Sequence, residues 1–431
     1  MLTSHPASSD AAKTDGLWRY IAYYGMSEIA QRATRLVTTV LIARLLLPVD
    51  LGIAASAITC FELIRSIANA GIGQAVIRSS DARMAGTCIT AWRLMWIICA
   101  SLTIVQTVAG AAIASVTGHP ELFPMIAVLS GVYLMMPVAL IQTYLVQRCS
   151  NHATIAKIAT IQAVADNVLT IALALLGLGA WSIVLPKLLT CPIWMIGMRR
   201  AHPWRACTNA APEPFFQLLQ FSLPVIGSEI ITAARLQLDK IMVGATLGVE
   251  ALGIYYFVFN AGIGLTLSLT SALSNTLYPY FALSAKSPGE LLQRLDRSLV
   301  HKALPISALV LLQAALAPIY VPLLFGAKWN SSAWLVAIMS ASAATKLFSD
   351  ASAQALRAVG STGIELKGSL LIAFFSLAGL ALGLCIDLPS AVVAFSFASG
   401  LSQLLFSLMA RQWIVTADKG SGLLRTTGIS A

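Results

Sequence analysis

Stretches of about 20 mostly apolar residues, the length that crosses a hydrocarbon core, recur along this chain between residues 18 and 414. Inside lipid no water satisfies backbone N–H and C=O groups, so only helices and closed barrels can span. Spanning strands need only about ten residues, so these longer stretches predict helices. The composition agrees, with 58% hydrophobic and 11% charged residues against about 25% charged in soluble proteins. About twelve spans are expected, near 18–46, 51–77, 90–116, 122–147, 157–179, 181–198, 217–247, 250–283, 303–325, 332–356, 366–386 and 389–414. The chain therefore reads as an all-α integral membrane protein.

The net charge of +10 does not point to nucleic acid, and no nucleic-acid partner is expected. Its distribution follows topology. With the N-terminus in the cytoplasm, inside segments gather Arg78, Arg83, Arg148, Lys157, Arg199, Arg200, Arg205, Lys286, Arg294, Arg297 and Lys302, whereas the outside loops hold Lys328, with Arg44 near a helix end. The positive-inside rule then puts both termini in the cytoplasm. Residues 1–15 have no apolar core, so no cleavable signal peptide is expected. The 7 cysteines form no C-x-x-C pair and the 5 histidines show no metal spacing, so neither a metal nor another cofactor is expected.

Glu28, Arg32 and Arg35 interrupt the first apolar stretch. At about 100° per residue they share one helix face, which Thr39 continues. Each charge at the bilayer centre costs about 2.5–3.5 kcal/mol, so the stripe must face protein, water or an anionic ligand.

The longest connections are 199–214, near mid-chain, and 284–302, where Leu291, Leu292, Leu295 and Leu299 form an apolar face beside Arg294 and Arg297. The second reads as a short interfacial helix against anionic headgroups. The first divides the chain into a cytoplasmic tail (1–16), an N-lobe of six helices (17–198), a cytoplasmic linker (199–216), a C-lobe of six helices (217–414) and a second cytoplasmic tail (415–431). The lobes are related. At an offset of 201 residues Ser27-Glu28-Ile29 matches Ser228-Glu229-Ile230, and Leu51-Gly52-Ile53 matches Leu252-Gly253-Ile254. Asn69–Gly73 also recurs at Asn260–Gly264, out of that register, and reads as local small-residue packing. Parallel repeats of this kind place substrate at their interface.

Ala33–Val49 (ATRLVTTVLIARLLLPV), Asp50-Leu51-Gly52, Ala70–Ile77 (AGIGQAVI), Leu238–Gly244 (LDKIMVG) and Leu252-Gly253-Ile254-Tyr255 resemble the first two spans of each half of the polysaccharide transporters. These are the Wzx-type oligosaccharide flippases of the multidrug/oligosaccharidyl-lipid/polysaccharide exporter superfamily. The resemblance implies two pseudo-symmetric six-helix lobes forming a V around a central cavity. It also implies a cargo: an oligosaccharide repeat unit on a polyprenyl pyrophosphate, moved across the bacterial inner membrane by alternating access for exopolysaccharide, capsule or O-antigen synthesis. Membrane lipids, a polysaccharide polymerase and a chain-length regulator are the further partners it suggests. The driving force, a proton gradient, a sodium gradient or downstream consumption, stays open.

Pyrophosphate favours delocalised cations that stay charged in low dielectric. Arg32 and Arg35, with Arg235 and Lys240 in the second half, are therefore the candidate binding residues. Glu28, Asp239, Glu62 and Arg65 are candidates for coupling or charge balance. For Glu28–Arg32 the alternative is an i,i+4 tie within its lobe, for Arg235–Asp239 an internal pair, and for Glu62 and Arg65 an interhelical pairing with the first span. Lys346–Asp350, and Asp166 with Lys187, read as structural ion pairs. Prolines 137, 186, 224, 279 and 318 mark kinks. Two other functions remain: a drug or small-molecule antiporter, which would favour an acidic cavity, and a multispan polymerase or ligase, which would need catalytic acids on outside loops longer than these. The chain reads as a transporter rather than an enzyme.

Overall fold

The computed structural model describes residues 31, 33–68, 72–80, 83–149, 151–206, 215–264, 277, 280–282, 284 and 288–426. Among these there is no strand. The helices are α1 (33–45), α2 (Pro48–Ala68), α3 (Ile72–Arg78), α4 (Met84–Thr117), α5 (Leu122–Met135), α6 (Leu140–Arg148), α7 (His152–Leu175), α8 (Trp181–Leu189), α9 (Cys191–Ala201), α10 (Phe215–Phe259), α11 (Pro288–Ser298), α12 (Leu304–Phe325), α13 (Ala333–Ala358), α14 (Thr362–Leu384) and α15 (Leu388–Thr426). Among the described residues eight helices are long and apolar enough to cross a membrane, or nine if α5 and α6, bent by 51°, form one span. This is fewer than the expected twelve. About half of the first expected span lies outside the described residues, and α13 is too polar to qualify.

Carboxylates and amides start several helices by accepting otherwise unpaired backbone N–H groups. Asp50 accepts from Leu47 N–H at 3.0 Å, Asn151 from Thr154 N–H at 3.2 Å and Asp387 from Ser390 N–H at 2.8 Å. The Ser390 hydroxyl and N–H together hold the Asp387 carboxyl below its ordinary range. Pro137 lies in the 3-10 turn Met136–Val138 where α5 bends into α6.

One pair of positions 201 residues apart shares a break in the backbone. Between α1 and α2 the helix breaks at residues 46–47. Residue 47 corresponds to Gly248, where α10 has φ +85° and ψ −179°. In a straight helix the 16 residues from Asp239 to Tyr255 would cover about 24 Å. Their side chains instead hydrogen-bond at 3.0 Å, so α10 folds back at Gly248 into two antiparallel arms. A Cβ on Gly244 would lie 3.1 Å from Leu252, so the two arms pack closely. The expected turn at 248–251 is therefore present, and the apolar stretch Leu236–Gly264 comprises parts of two helices.

The described residues gather into two compact units that divide between Gln237 and Leu238. In the first, the Tyr133 hydroxyl lies 2.5 Å from Gln106 Oε1 and 3.0 Å from the Phe61 carbonyl. Gln106 Nε2 donates to the Ile126 carbonyl at 2.9 Å. This buried network ties α2, α4 and α5 together, with Phe61 stacked on Tyr133. The expected span 51–77 is divided into α2 and α3. Arg148 donates to the carbonyls of Ile77 (3.2 Å) and Ser79 at the C-terminal end of α3, where a cation also complements the helix dipole. Gly73 lies against the Tyr144 ring with no room for a Cβ.

In the second unit α13 and α15 are joined by hydrogen bonds between Thr345 and Gln403 (2.7 Å) and between Ser352 and Ser407 (2.8 Å). α14 approaches α15 through Gly379 and Gly383, where a Cβ would lie 2.7 Å from the Ala394 carbonyl oxygen and 2.3 Å from Ala391 Cα. Small residues four apart permit such backbone approach.

The apolar face expected to lie on headgroups is covered by protein instead. Leu291 and Leu295 of α11 are fully buried in a cluster with Ala351, Ala355 and Leu356 of α13 and Phe406, Ala410 and Ile414 of α15. The sequence periodicity defines the face correctly but does not say what covers it. At Asn260–Gly264 the backbone forms a π-turn, and Gly262 packs on Met339 and Ser340, in keeping with small-residue packing. Of the earlier copy, only Ile72 and Gly73 are described.

Candidate functional site

Glu28 and Arg32 lie outside the described residues, as does the side chain of Arg235. The remaining candidates lie within one unit or the other.

In the first unit α1 docks on α7 through polar side chains. Gln31 Nε2 donates to Thr160 Oγ1 at 2.6 Å, and Asn167 Nδ2 reaches Thr34 Oγ1 at 3.5 Å. Gln31, Thr34 and Thr38 follow i, i+3, i+7 spacing and so share a face. Arg35 lies one residue, about 100°, round from Thr34. Its side chain is exposed and forms no ion pair with any described residue. Its backbone carbonyl accepts from Thr39 Oγ1 at 2.8 Å, so the polar stripe is helically continuous there. Beside this contact, Lys187 of α8 pairs with Asp166 of α7 at 2.6 Å. The expected link between adjacent spans is present, and it neutralises both charges.

Glu62 and Arg65 do not reach across to the first span within the described residues. They pair with each other along α2, Arg65 Nη2 to Glu62 Oε2 at 2.6 Å, with the guanidinium 5.8 Å from the centre of the Phe61 ring. At i,i+3 spacing the nearer partner on the same helix takes the charge. Lys346 and Asp350 form the expected i,i+4 pair at 2.8 Å.

In the second unit Asp239 and Lys240 are buried, at 6% and 9% exposure. Lys240 Nζ is 3.3 Å from Asp239 Oδ1 and 4.9 Å from the centre of the Phe259 ring. Tyr255 donates its hydroxyl to Asp239 Oδ2 at 3.0 Å. A buried carboxylate is thus held by an ammonium and a phenol, and a buried ammonium by a carboxylate and an aromatic face. Tyr255 and Phe259 are functional candidates that reasoning from charge alone passes over. Tyr255 does close the Leu252–Tyr255 motif, and that motif is the signal that could have found it.

These features define a multi-pass, all-helical membrane protein with several charged groups held inside its spans. Residues 41–334 match the family described as polysaccharide biosynthesis protein. The chain belongs to that family. Among curated relatives it is similar to the succinoglycan biosynthesis transport protein ExoT of Rhizobium meliloti (strain 1021), at 23% identity over 74% of this chain and 64% of the relative. It is also similar to the teichuronic acid biosynthesis protein TuaB of Bacillus subtilis (strain 168), at 21% identity over 63% of this chain and 56% of the relative. The matches thus span less than two thirds of these relatives' lengths. Among solved structures, the lipid II flippase MurJ in an inward closed conformation superposes with a TM-score of 0.67 at 12% identity, covering 95% of this chain and 93% of that one. An inward-facing multidrug resistance MATE family transporter of the MOP superfamily gives 0.63 at 14%, covering 94% and 96%. At these identities the likeness establishes the fold.

Proposed function

We propose that this chain is a flippase that carries a polyprenyl-pyrophosphate-linked oligosaccharide repeat unit across the bacterial inner membrane by alternating access. The repeat unit feeds exopolysaccharide, capsule or O-antigen synthesis. The observation that carries the proposal is Arg35. In a chain of the polysaccharide biosynthesis family, a helix that docks through its neutral polar face leaves an arginine exposed and without a carboxylate partner among the described residues. An arginine in that state can bind an oxyanion bidentately, and forming that contact breaks no ion pair with a described residue.

Arg35 is the principal headgroup contact in this reading, with Arg32 contributing further positive charge on the same helix face. Asp239, already bound to Lys240 and Tyr255, balances charge. Both termini are cytoplasmic, and the polymerase and chain-length regulator act on the delivered repeat unit. Membership of the polysaccharide biosynthesis family, and a relative whose name specifies transport in succinoglycan biosynthesis, favour this reading over drug export and over catalysis.

The full chain reconstituted in proteoliposomes with a fluorescent polyprenyl-pyrophosphate oligosaccharide tests it. A membrane-impermeant quencher should reach the inner-leaflet probe as flipping proceeds. Imposed proton and sodium gradients in separate arms identify the coupling ion. Quenching no greater than in protein-free vesicles, under every gradient, would overturn the proposal.

A further inference from the structure

α11 runs directly into the π-turn Leu299–Ala303 and then into α12. Its apolar face is buried in the second unit, so its basic residues point elsewhere. Arg294 binds Glu290 at 2.6 Å and the Tyr280 carbonyl at 2.8 Å, with its guanidinium 5.1 Å from the centre of the Tyr280 ring. Lys302 Nζ lies 4.6 Å from the centre of the same ring.

The π-turn makes this convergence possible. Eight residues of unbroken α-helix would leave Lys302 about 80° away from Arg294. The wider turn, with its i→i+5 bonding, brings it back toward the face of Arg294. Arg297 and His301, four residues apart and both exposed, lie beside this pair. Asp296 is bound by Arg411 at 2.7 Å and Glu290 by Arg294. No described carboxylate pairs with Arg297, His301 or Lys302.

The outer surface changes character within one turn. Val300 and Leu304 are each 54% exposed, and exposed Leu309, Leu311 and Leu312 follow on the apolar span α12. The cations therefore sit where lipid-facing aliphatic surface begins. Anionic headgroups attract cations at that level, while acyl chains cover the aliphatic side chains next to them.

We propose that Arg297 and His301, together with Lys302, which the π-turn sets beside Tyr280, form a site for the phosphodiester headgroup of an anionic phospholipid. The lipid's acyl chains lie along Val300 and Leu304. The site lies wholly within the second unit and involves none of the residues assigned to cargo, so its test is independent of transport.

The test is native mass spectrometry of the full chain from detergent containing equal phosphatidylglycerol and phosphatidylcholine. The wild type is expected to retain phosphatidylglycerol preferentially. In R297Q/K302Q that preference falls by roughly twenty-five-fold, about fivefold for each cation removed. R297K/K302R, which keeps both charges, retains it. Equal retention of the two lipids by the wild type, or unchanged preference in R297Q/K302Q, would overturn the proposal. So would displacement of the lipid by millimolar inorganic phosphate, since the site would then be one for free phosphate. If R297Q/K302Q fails to fold, R297Q alone decides, because the Arg297 side chain is exposed and its expected loss is roughly fivefold.

Discussion

Cells whose only copy of this protein carries Arg35→Ala are expected to lose about nine-tenths or more of their exported polysaccharide. A hydrogen bond between a charged donor and an oxyanion contributes about 1.5–3 kcal/mol, equivalent to tenfold or more in affinity. Arg35 offers such a bond without first breaking another, since it has no carboxylate partner among the described residues. For the same reason its removal strands no buried carboxylate there, and the level of protein in the membrane should not change. Arg35→Lys keeps the charge but loses the planar fork, and should retain a partial rate. Export by Arg35→Ala at the wild-type rate, with normal membrane levels, would remove the central support for a headgroup contact on α1.

Gly383→Ala is expected to destabilise the second unit by about 3 kcal/mol or more, at or above the top of the usual range for overpacking. The added methyl would lie 2.3 Å from Ala391 Cα, 2.5 Å from Ala391 N and 2.5 Å from the Ser390 carbonyl oxygen. All three are backbone atoms, so no side-chain rotation relieves the clash and α14 must move away from α15. Gly379 imposes the same closeness one turn earlier, so a small tilt does not suffice. Gly363 is the control: it lies on α14 with nothing within 4 Å of its added Cβ, and Gly363→Ala should be neutral or slightly stabilising. Thermal unfolding of the purified variants measures both. A Gly383→Ala melting temperature equal to that of wild type would show that this approach is looser than the geometry requires.

The sequence carried the local parts of this structure well. The turn at 248–251 was legible because a repeat and a glycine coincide there, and Lys346–Asp350 because i,i+4 neighbours meet on any helix. Lys187 and Asp166 could be paired because they lie on consecutive spans. The partners of Asp239 were harder to anticipate. An uninterrupted helix makes Arg235 the obvious neighbour, whereas the reversal at Gly248 brings Tyr255 and Phe259 back beside Asp239 and Lys240. The span interiors were also illegible in part. Gln106 and Tyr133 stand on separate helices in apolar surroundings, and only tertiary packing makes them one network. The face of α11 could be read from its leucines, but its cover could not, because protein and lipid offer a leucine similar apolar surroundings.

The polar seam between α13 and α15 also bears on how the chain is made. Ser352 finds Ser407, and Thr345 finds Gln403, more than fifty residues further along. Until α15 has been synthesised, α13 must hold Ser352 and Thr345 without those partners, beside its Lys346–Asp350 pair. It is not among the helices apolar enough to cross on their own. Its membrane integration is therefore expected to depend on segments translated later. Ribosome-bound chains stopped before residue 388 should leave α13 accessible to a water-soluble cysteine reagent at a cysteine placed at Ser349, and chains extended past residue 426 should protect it. Equal protection at both lengths would show that α13 enters the bilayer unaided.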